Sequence, residues 1–232
     1  MSSPRQPVRF SPKAVLFDLD GTLADTAPDL AHALNRLRAE RQCQPLPLSF
    51  ARPYTSSGAR GLLAIGFGIT PGHPEFEALK DRFLELYAAN VCVDSRLYEG
   101  MTELLLHLEQ GNIAWGIVTN KAARFTTPLV ARLGLDKRAA CVVSGDTAAR
   151  PKPHPDPLLH AAAQLNLLPA QCLYVGDDLR DVQAARAAGM PVLAAGFGYL
   201  GVGSHPRHWN ADGIIDSPLD ALNYLAAAPS MG

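Results

Sequence analysis

Short apolar runs, each ending abruptly in polar residues or glycine, constrain the fold of this chain more than any other feature. Runs of this length, rich in β-forming residues, are typical of strands buried on both faces of a parallel sheet. They occupy residues 13–19, 113–118, 140–143, 172–175, 192–195 and 213–215.

Helical patterns lie between the later runs, at residues 102–109, 125–133, 157–166 and 180–188. A regular alternation of strand and helix is typical of a parallel sheet that carries helices on both faces. The sequence therefore predicts an α/β fold with a Rossmann-like parallel-sheet core.

The first connection is much longer than the others. Roughly ninety residues separate the first run from the second, far more than one crossover helix requires. Three helical patterns lie within it, at residues 28–41, 59–66 and 76–90, and the last repeats apolar residues every three or four positions. We predict an all-helical insert at residues 24–95, with residues 1–23 and 96–232 forming the core.

Composition excludes several classes of partner. The 232 residues carry a net charge of −1, so neither nucleic acid nor an anionic membrane is an expected partner. Residues 1–10 do not resemble a signal peptide, and no window is long and apolar enough to span a bilayer. The four cysteines are widely spaced, which indicates neither a zinc site nor a disulfide framework. We predict a cytoplasmic protein, either a monomer or a homodimer.

Residues 18–22, with the sequence DLDGT, end the first run with two carboxylates two positions apart. Asp18 and Asp20 can both face one pocket as the chain turns at Gly21, and Thr22 adds a hydroxyl and an amide. One carboxylate can attack phosphorus, while the other protonates the leaving oxygen and later activates water. An acidic, solvated turn is the alternative.

Two further polar clusters follow later runs. Thr119, Asn120 and Lys121 come directly after the second run, where a hydroxyl and backbone amides can bind phosphoryl oxygens. Lys152 lies in a proline-rich loop that presents its cation from a stiff backbone. Each of these clusters is weak evidence alone, because turns and proline-rich loops are more often structural.

The fourth cluster follows the run at 172–175 and contains three aspartates, Asp177, Asp178 and Asp181. Mg²⁺ prefers hard oxygen ligands and takes one or two protein carboxylates, so Asp177, at the strand end, is the best ligand candidate. Asp178 or Asp181 can instead cap the following helix. Asp181 can also orient Lys152 or a metal-bound water.

In this order, the four clusters resemble those of the haloacid dehalogenase-like phosphatase superfamily, and the resemblance covers nearly the whole chain. The insert looks like the cap domain of that family. The resemblance implies that Asp18 becomes phosphorylated and that Asp20 is the general acid and base. It implies Mg²⁺ bound by the Asp18 carboxylate, the Asp20 carbonyl and Asp177, with Asp178 and Asp181 in support.

Thr119 and Lys152 would bind the phosphoryl group, with Gly21, Thr22, Asn120 and Lys121 as further substrate contacts. Within the superfamily the chain looks most like phosphoglycolate phosphatases, through residues 20–28 and 118–122. It also looks like bacterial N-acetylmuramic acid 6-phosphate phosphatases, through residues 115–121 and 176–181 and through a segment that begins with Gly198 and Tyr199 and continues at residues 210–212.

Both substrates carry a carboxylate besides the phosphate. Arg60 at the start of an insert helix is a candidate to bind it, although a solvent-exposed arginine is an equal alternative.

Three rival functions are open to this fold. A dehalogenase lacks the second acid, so Asp20 argues against that activity. A sugar phosphomutase would use the same residues, and measuring free phosphate against isomer formation separates the two. A non-catalytic binding protein would lack a nucleophile, acid or metal ligand, and here each is present.

Overall fold

The computed structural model describes residues 9–203 and 205–226. Each of the predicted strands and helices is present, with small shifts at the ends. The strands are β1 (Ala14–Phe17), β2 (Ala24–Asp25), β3 (Arg96–Leu97), β4 (Ala114–Val118), β5 (Cys141–Val143), β6 (Cys172–Gly176), β7 (Val192–Ala195) and β8 (Gly213–Ile215). The helices are α1 (Ala27–Glu40), α2 (Leu48–Ala51), α3 (Gly58–Phe67), α4 (Phe76–Ala89), α5 (Met101–Gln110), α6 (Ala123–Arg132), α7 (Asp156–Gln164) and α8 (Leu179–Ala188).

Within the described ranges, six strands form one parallel sheet in the order β5-β4-β1-β6-β7-β8. Strand β1 lies at the centre, between β4 and β6, so the chain order reverses on either side of it. In open α/β sheets, ligands bind beside the carboxyl ends of the strands at such a switch point. The clusters after β1, β4 and β6 therefore meet at one edge of the sheet.

Each face of the sheet packs against its own apolar cluster. Val15 and Phe17 of β1 point into one cluster, whereas Ala14 and Leu16 point into the other, as the two-residue period of a strand requires. Helices α5 and α6 contribute to the first cluster, and α7 and α8 to the second. Helices on both faces confirm the predicted α/β architecture.

The helices α1 to α4 lie between β2 and β3, which pair antiparallel with Ala24 opposite Leu97 and Asp25 opposite Arg96. This short ribbon brings the two ends of the predicted insert together. The ribbon and the short helix α2 were not predicted, because two-residue strands and one-turn helices are too short to show a periodic pattern in the sequence. The insert at 24–95 and the core at 1–23 and 96–232 stay predictions, and the core residues 1–8, 204 and 227–232 lie outside the described residues.

None of the helices in the described ranges is long and apolar enough to cross a bilayer. The four cysteines are free thiols. The prediction for residues 1–10, that they do not form a signal peptide, falls mainly outside the described part of the chain.

Candidate active site

A cavity of about 350 Å³ opens at the carboxyl ends of β1, β4 and β6. The side chains that line the cavity differ in polarity between the core and the insert. The core contributes polar and charged side chains, among them Asp18, Asp20, Thr119, Lys121, Lys152 and Asp177. The insert contributes mainly apolar side chains, among them Leu30, Phe83, Leu84 and Tyr87.

Lys152 lies at the base of the cavity between two carboxylates. Its Nζ is 2.9 Å from Asp18 Oδ1 and 2.6 Å from Asp181 Oδ1, and it also donates to the carbonyl of Val118 and the hydroxyl of Tyr174. Burial alone would lower the pKa of Lys152, but the two carboxylates raise it above its ordinary value. The lysine is therefore a fixed cation at neutral pH, oriented toward Asp18.

Asp18, Asp177 and Asp181 form an acidic cluster, with one carboxylate oxygen of each within 4.8 Å of the others. Burial raises the pKa of Asp18 to about 7, against the attraction of Lys152, and burial together with the charge of Asp18 raises the pKa of Asp177. Both pKa values rise chiefly because burial disfavours the charged carboxylate, and the neighbouring carboxylates of the cluster add to the rise. Hard oxygen donors with excess negative charge fit a divalent cation such as Mg²⁺.

Asp177 is held in place by neighbours on both sides. Its Oδ1 accepts a 3.0 Å hydrogen bond from the Thr22 hydroxyl, and its Oδ2 accepts a 2.7 Å bond from the amide of Tyr199. Gly21 has a φ of +86°, and a Cβ there would lie 2.2 Å from Asp177 Oδ2. Thr22 therefore orients the Asp177 side chain, and Gly21 leaves room for it. Neither is among the residues that line the cavity, contrary to the predicted direct substrate contact.

Asp20 faces the cavity with a cation beside it. Lys121 Nζ lies 2.8 Å from Asp20 Oδ1, and the Thr26 hydroxyl donates to the same oxygen. Lys121 also lies over the ring of Tyr87 from the insert, 4.8 Å from the ring centre. Although burial lowers it, the pKa of Lys121 is raised overall by Asp20 and Tyr87. Lys121 thus links the predicted acid to the insert.

Thr119 and Asn120 both line the cavity, as expected of substrate contacts. Thr119 is buried, and its hydroxyl accepts a bond from the Lys121 amide at 3.1 Å. Asn120 also holds the neighbouring loop, because its side-chain amide donates to the Lys152 carbonyl and accepts from the Lys152 amide, each at 2.9 Å. This pair of bonds docks the lysine loop onto the end of β4.

Asp178 and Asp181 form reciprocal caps at the start of α8. The Asp178 carboxylate accepts from the Arg180 amide at 2.9 Å, and the Asp181 carboxylate accepts from the Asp178 amide at 3.0 Å. Arg180 also pairs through two nitrogens with Asp178 and lowers its pKa despite burial. The helix-cap alternative therefore holds for both aspartates, and Asp181 contacts Lys152 as well.

Arg60 is exposed on α3 and is not among the residues that line the cavity. The structure thus does not place it where a substrate contact was expected. Around the start of α3, the residues that line the cavity are Ser57, Gly58 and Ala59. The arginines that do line the cavity are Arg124 and Arg180.

Arg180 is already paired with Asp178, and its Nη2 donates to the Ser56 carbonyl at 2.6 Å. Arg124 is exposed at the mouth, beside the ring of Phe125. Roles for Arg124, Arg180, Tyr87 and Tyr199 were not predicted from the sequence. The two arginines follow the clusters at 119–121 and 176–178 closely, and Tyr199 lies in a segment that carries the family resemblance, so a signal was lacking only for Tyr87.

Comparison with known proteins adds independent findings. The sequence profile of the family described as Haloacid dehalogenase-like hydrolase matches residues 15–195. An N-acetylmuramic acid 6-phosphate phosphatase from Pseudomonas putida is 43% identical, with 93% of this chain and 97% of the relative covered. A phosphoglycolate phosphatase from Xanthomonas campestris pv. campestris is 44% identical, with coverage of 91% and 95%. A crystal structure described as a predicted phosphoglycolate phosphatase from Haemophilus somnus superposes with a TM-score of 0.80 at 28% identity, covering 91% of this chain and 96% of the other.

Proposed function

We propose that this chain, which belongs to the haloacid dehalogenase-like hydrolase family, hydrolyses a carboxylate-bearing sugar phosphate, and that N-acetylmuramic acid 6-phosphate fits its cavity best. The chain is a phosphoric monoester hydrolase that acts on small phosphate monoesters. The observation that carries the choice of substrate is a cavity of about 350 Å³ whose wall on the insert side is mainly apolar.

In the first step a carboxylate oxygen of Asp18 forms a bond to phosphorus as the ester P–O bond breaks. Asp20 gives its proton to the leaving oxygen, so a neutral alcohol departs. Lys152, 2.9 Å from Asp18, neutralises charge on the transferring phosphoryl group, and Thr119 donates to its oxygens. The contact between Lys121 and Asp20 keeps the acid directed into the cavity.

In the second step a water oxygen attacks phosphorus and gives a proton to Asp20, and the P–O bond to Asp18 breaks. Asp18 and Asp177, with the Asp20 carbonyl, would hold Mg²⁺, and Asp181 supports the site through Lys152. When bound, Mg²⁺ offsets the repulsion between an anionic nucleophile and an anionic phosphate.

The insert at residues 24–95 would act as a cap domain over the core at 1–23 and 96–232. Insert side chains such as Phe83 and Tyr87 line the cavity opposite Asp18 and Asp20, so substrate and catalytic groups lie between the two parts. Closure over the substrate would exclude bulk water. We infer a cytoplasmic enzyme that works as a monomer or a homodimer.

The cavity favours the larger of the two named substrates. Sites for organic ligands typically measure roughly 300–1,000 Å³, which suits a substituted hexose phosphate. The two-carbon chain of 2-phosphoglycolate would leave much of the 350 Å³ to water. Leu30, Phe83 and Leu84 offer apolar surface that an acetamido methyl group or a sugar face can bury, whereas phosphoglycolate offers almost none.

Arg124 replaces Arg60 as the residue proposed to bind the substrate carboxylate. It lines the mouth of the cavity, and among the described residues its guanidinium lies over the Phe125 ring and forms no ion pair. A guanidinium can bind a carboxylate through two parallel hydrogen bonds. The second candidate, 2-phosphoglycolate, is favoured by the relative from Xanthomonas campestris at 44% identity.

The test is phosphate release from N-acetylmuramic acid 6-phosphate, N-acetylglucosamine 6-phosphate and 2-phosphoglycolate. The first two differ chiefly in the lactyl carboxylate. We expect kcat/KM to be highest for the first, and Arg124→Gln to reduce its advantage over the second by roughly tenfold or more. Arg60→Gln, an exposed arginine outside the cavity, is the matched control and should leave the ratio unchanged. A higher kcat/KM for 2-phosphoglycolate would select the second candidate.

A further inference from the structure

The loop after β7 carries a Gly198-Tyr199 pair for which the phosphatase chemistry gives no role. Gly198 lies directly against the acidic cluster: a Cβ there would meet Asp177 Cβ at 2.2 Å and the carbonyl oxygen of Gly21 at 2.4 Å. A glycine at this position therefore lets the loop approach the Asp177 side chain closely. The next residue, Tyr199, is buried.

Tyr199 makes hydrogen bonds through both its backbone amide and its side-chain hydroxyl. Its backbone amide donates to Asp177 Oδ2 at 2.7 Å. Its hydroxyl accepts from the amides of Thr26 and Ala27, at 2.6 and 2.9 Å, and donates to Asp25 Oδ1 at 3.0 Å. Tyr199 thus connects a proposed metal ligand, through its backbone amide, with the start of the insert, through its side-chain hydroxyl.

The three residues that meet the hydroxyl form the first junction between core and insert. Asp25 ends β2, Thr26 precedes α1 and Ala27 begins it. The first amides of a helix have no partner within the helix, and the Thr26 side chain does not cap α1. The Tyr199 hydroxyl, from another part of the chain, accepts from the Thr26 amide and shares the Ala27 amide with Asp25 Oδ1, which lies 3.3 Å from the Ala27 nitrogen.

Residues of the same junction also contact the proposed acid, Asp20, and an arginine further along the insert. The Thr26 hydroxyl donates to Asp20 Oδ1. Arg52 of the insert pairs with both oxygens of Asp25, each at 2.8 Å. A shift at Tyr199 would therefore be transmitted to Asp20 and to the insert.

We propose that Tyr199 is a positioning residue that couples Asp177 to the start of the cap, so that binding a cation at Asp177 orders the junction at residues 25–27. The coupling rests on the proposed function, because it takes Asp177 as a ligand of Mg²⁺. Tyr199→Phe tests it directly, since phenylalanine keeps the amide that bonds Asp177 and removes only the hydroxyl.

Hydrogen exchange of the Thr26 and Ala27 amides, with and without MgCl₂, is the first readout. In the wild-type protein we expect Mg²⁺ to slow this exchange roughly threefold or more. In Tyr199→Phe the exchange should be faster and should no longer respond to Mg²⁺. Calorimetry should give a Kd for Mg²⁺ within about threefold of the wild-type value, because the bond from the amide to Asp177 remains.

Steady-state kinetics provides the second readout. We expect kcat of Tyr199→Phe to fall roughly tenfold with KM changed by less than about twofold, because alignment of Asp20 rather than substrate affinity is lost. Tyr224→Phe is the matched control. It removes a hydroxyl whose bond, 3.5 Å to the Ile214 carbonyl, lies away from the site, and it should behave as wild type.

An equal response to Mg²⁺ in Tyr199→Phe and wild type would overturn the coupling, and so would the absence of any response in the wild type. The second result needs no variant, so the proposal stays testable if Tyr199→Phe does not fold. Failure of the proposed function is a separate result: wild-type protein that binds Mg²⁺ but releases no phosphate from the esters tested.

Discussion

Replacing Asp18 by asparagine should stabilise the metal-free protein at alkaline pH while abolishing turnover. The Asp18 side chain is 14% exposed, and burial raises its pKa from 3.8 to about 7. A shift of about three units corresponds to roughly 4 kcal/mol of folding free energy. Asparagine has nearly the same shape and no charge, and Lys152 keeps its 2.6 Å contact with Asp181.

The sign follows from the raised pKa of Asp18. The folded protein holds the proton more tightly than the unfolded chain does, so the stability associated with that proton is complete below pH 3.8 and is lost as pH rises to about 7. The variant has no such loss. The free energy of unfolding of Asp18→Asn should equal that of wild type at pH 4 and exceed it by about 2–4 kcal/mol at pH 8. The lower figure applies if Asp18 and Asp177 share a proton in the wild type.

Thermal unfolding in EDTA at pH 4, 6 and 8 measures this difference. At pH 8 the Tm of Asp18→Asn should exceed that of wild type by roughly 5–10 °C. Adding Mg²⁺ should reduce this difference in Tm, because the ion should stabilise wild type more than the variant. Asp136→Asn, which neutralises an exposed aspartate, should show no such pH-dependent gain. An Asp18→Asn protein no more stable than wild type at pH 8 would refute the electrostatic argument, and phosphate release by it would refute the proposed nucleophile.

Asp177→Asn should raise the Kd for Mg²⁺, measured by calorimetry, by roughly tenfold or more, because a carboxylate of the acidic cluster becomes a neutral amide. An unchanged Kd would remove Asp177 from the ligand set. Burial raises the pKa of the Cys141 and Cys172 thiols to about 11. At pH 8 both should react with iodoacetamide roughly a hundredfold more slowly than the half-buried Cys43, as mapped by mass spectrometry. Equal rates at the three thiols would contradict this.

The strands could be predicted because buried parallel strands leave a continuous apolar signature. Residues 14–17 are apolar throughout, and in the structure alternate residues feed different clusters on the two faces. The ribbon formed by β2 and β3 was not predictable, because its pairing joins residues more than seventy positions apart through two residues on each strand. Such a pairing is decided by tertiary packing and leaves no local pattern.

The polar groups of the site could be predicted where they follow a strand, as Asp18, Thr119 and Asp177 do. The position of Arg60 could not, because α3 starts with Gly58 and the rotation of its first turn determines which side chains face the cavity. The family resemblance singled out the Gly198-Tyr199 segment but not the contacts of Tyr199. Its partners at 25–27 are remote in sequence and come close only when β7 and the first junction are both in place.

The two lysines of the site pair with different carboxylates and differ in whether they contact the insert. Lys152 neutralises Asp18 and Asp181, and its contacts come entirely from the core, so they are independent of how the insert sits. Lys121 neutralises Asp20 but also contacts Tyr87 of the insert. The proposed nucleophile, Asp18, is therefore held by contacts within the core, whereas the surroundings of the proposed acid, Asp20, depend on the predicted insert. Under the proposed mechanism, we therefore expect proton transfer to the leaving group to be the step most sensitive to how the insert packs over the substrate.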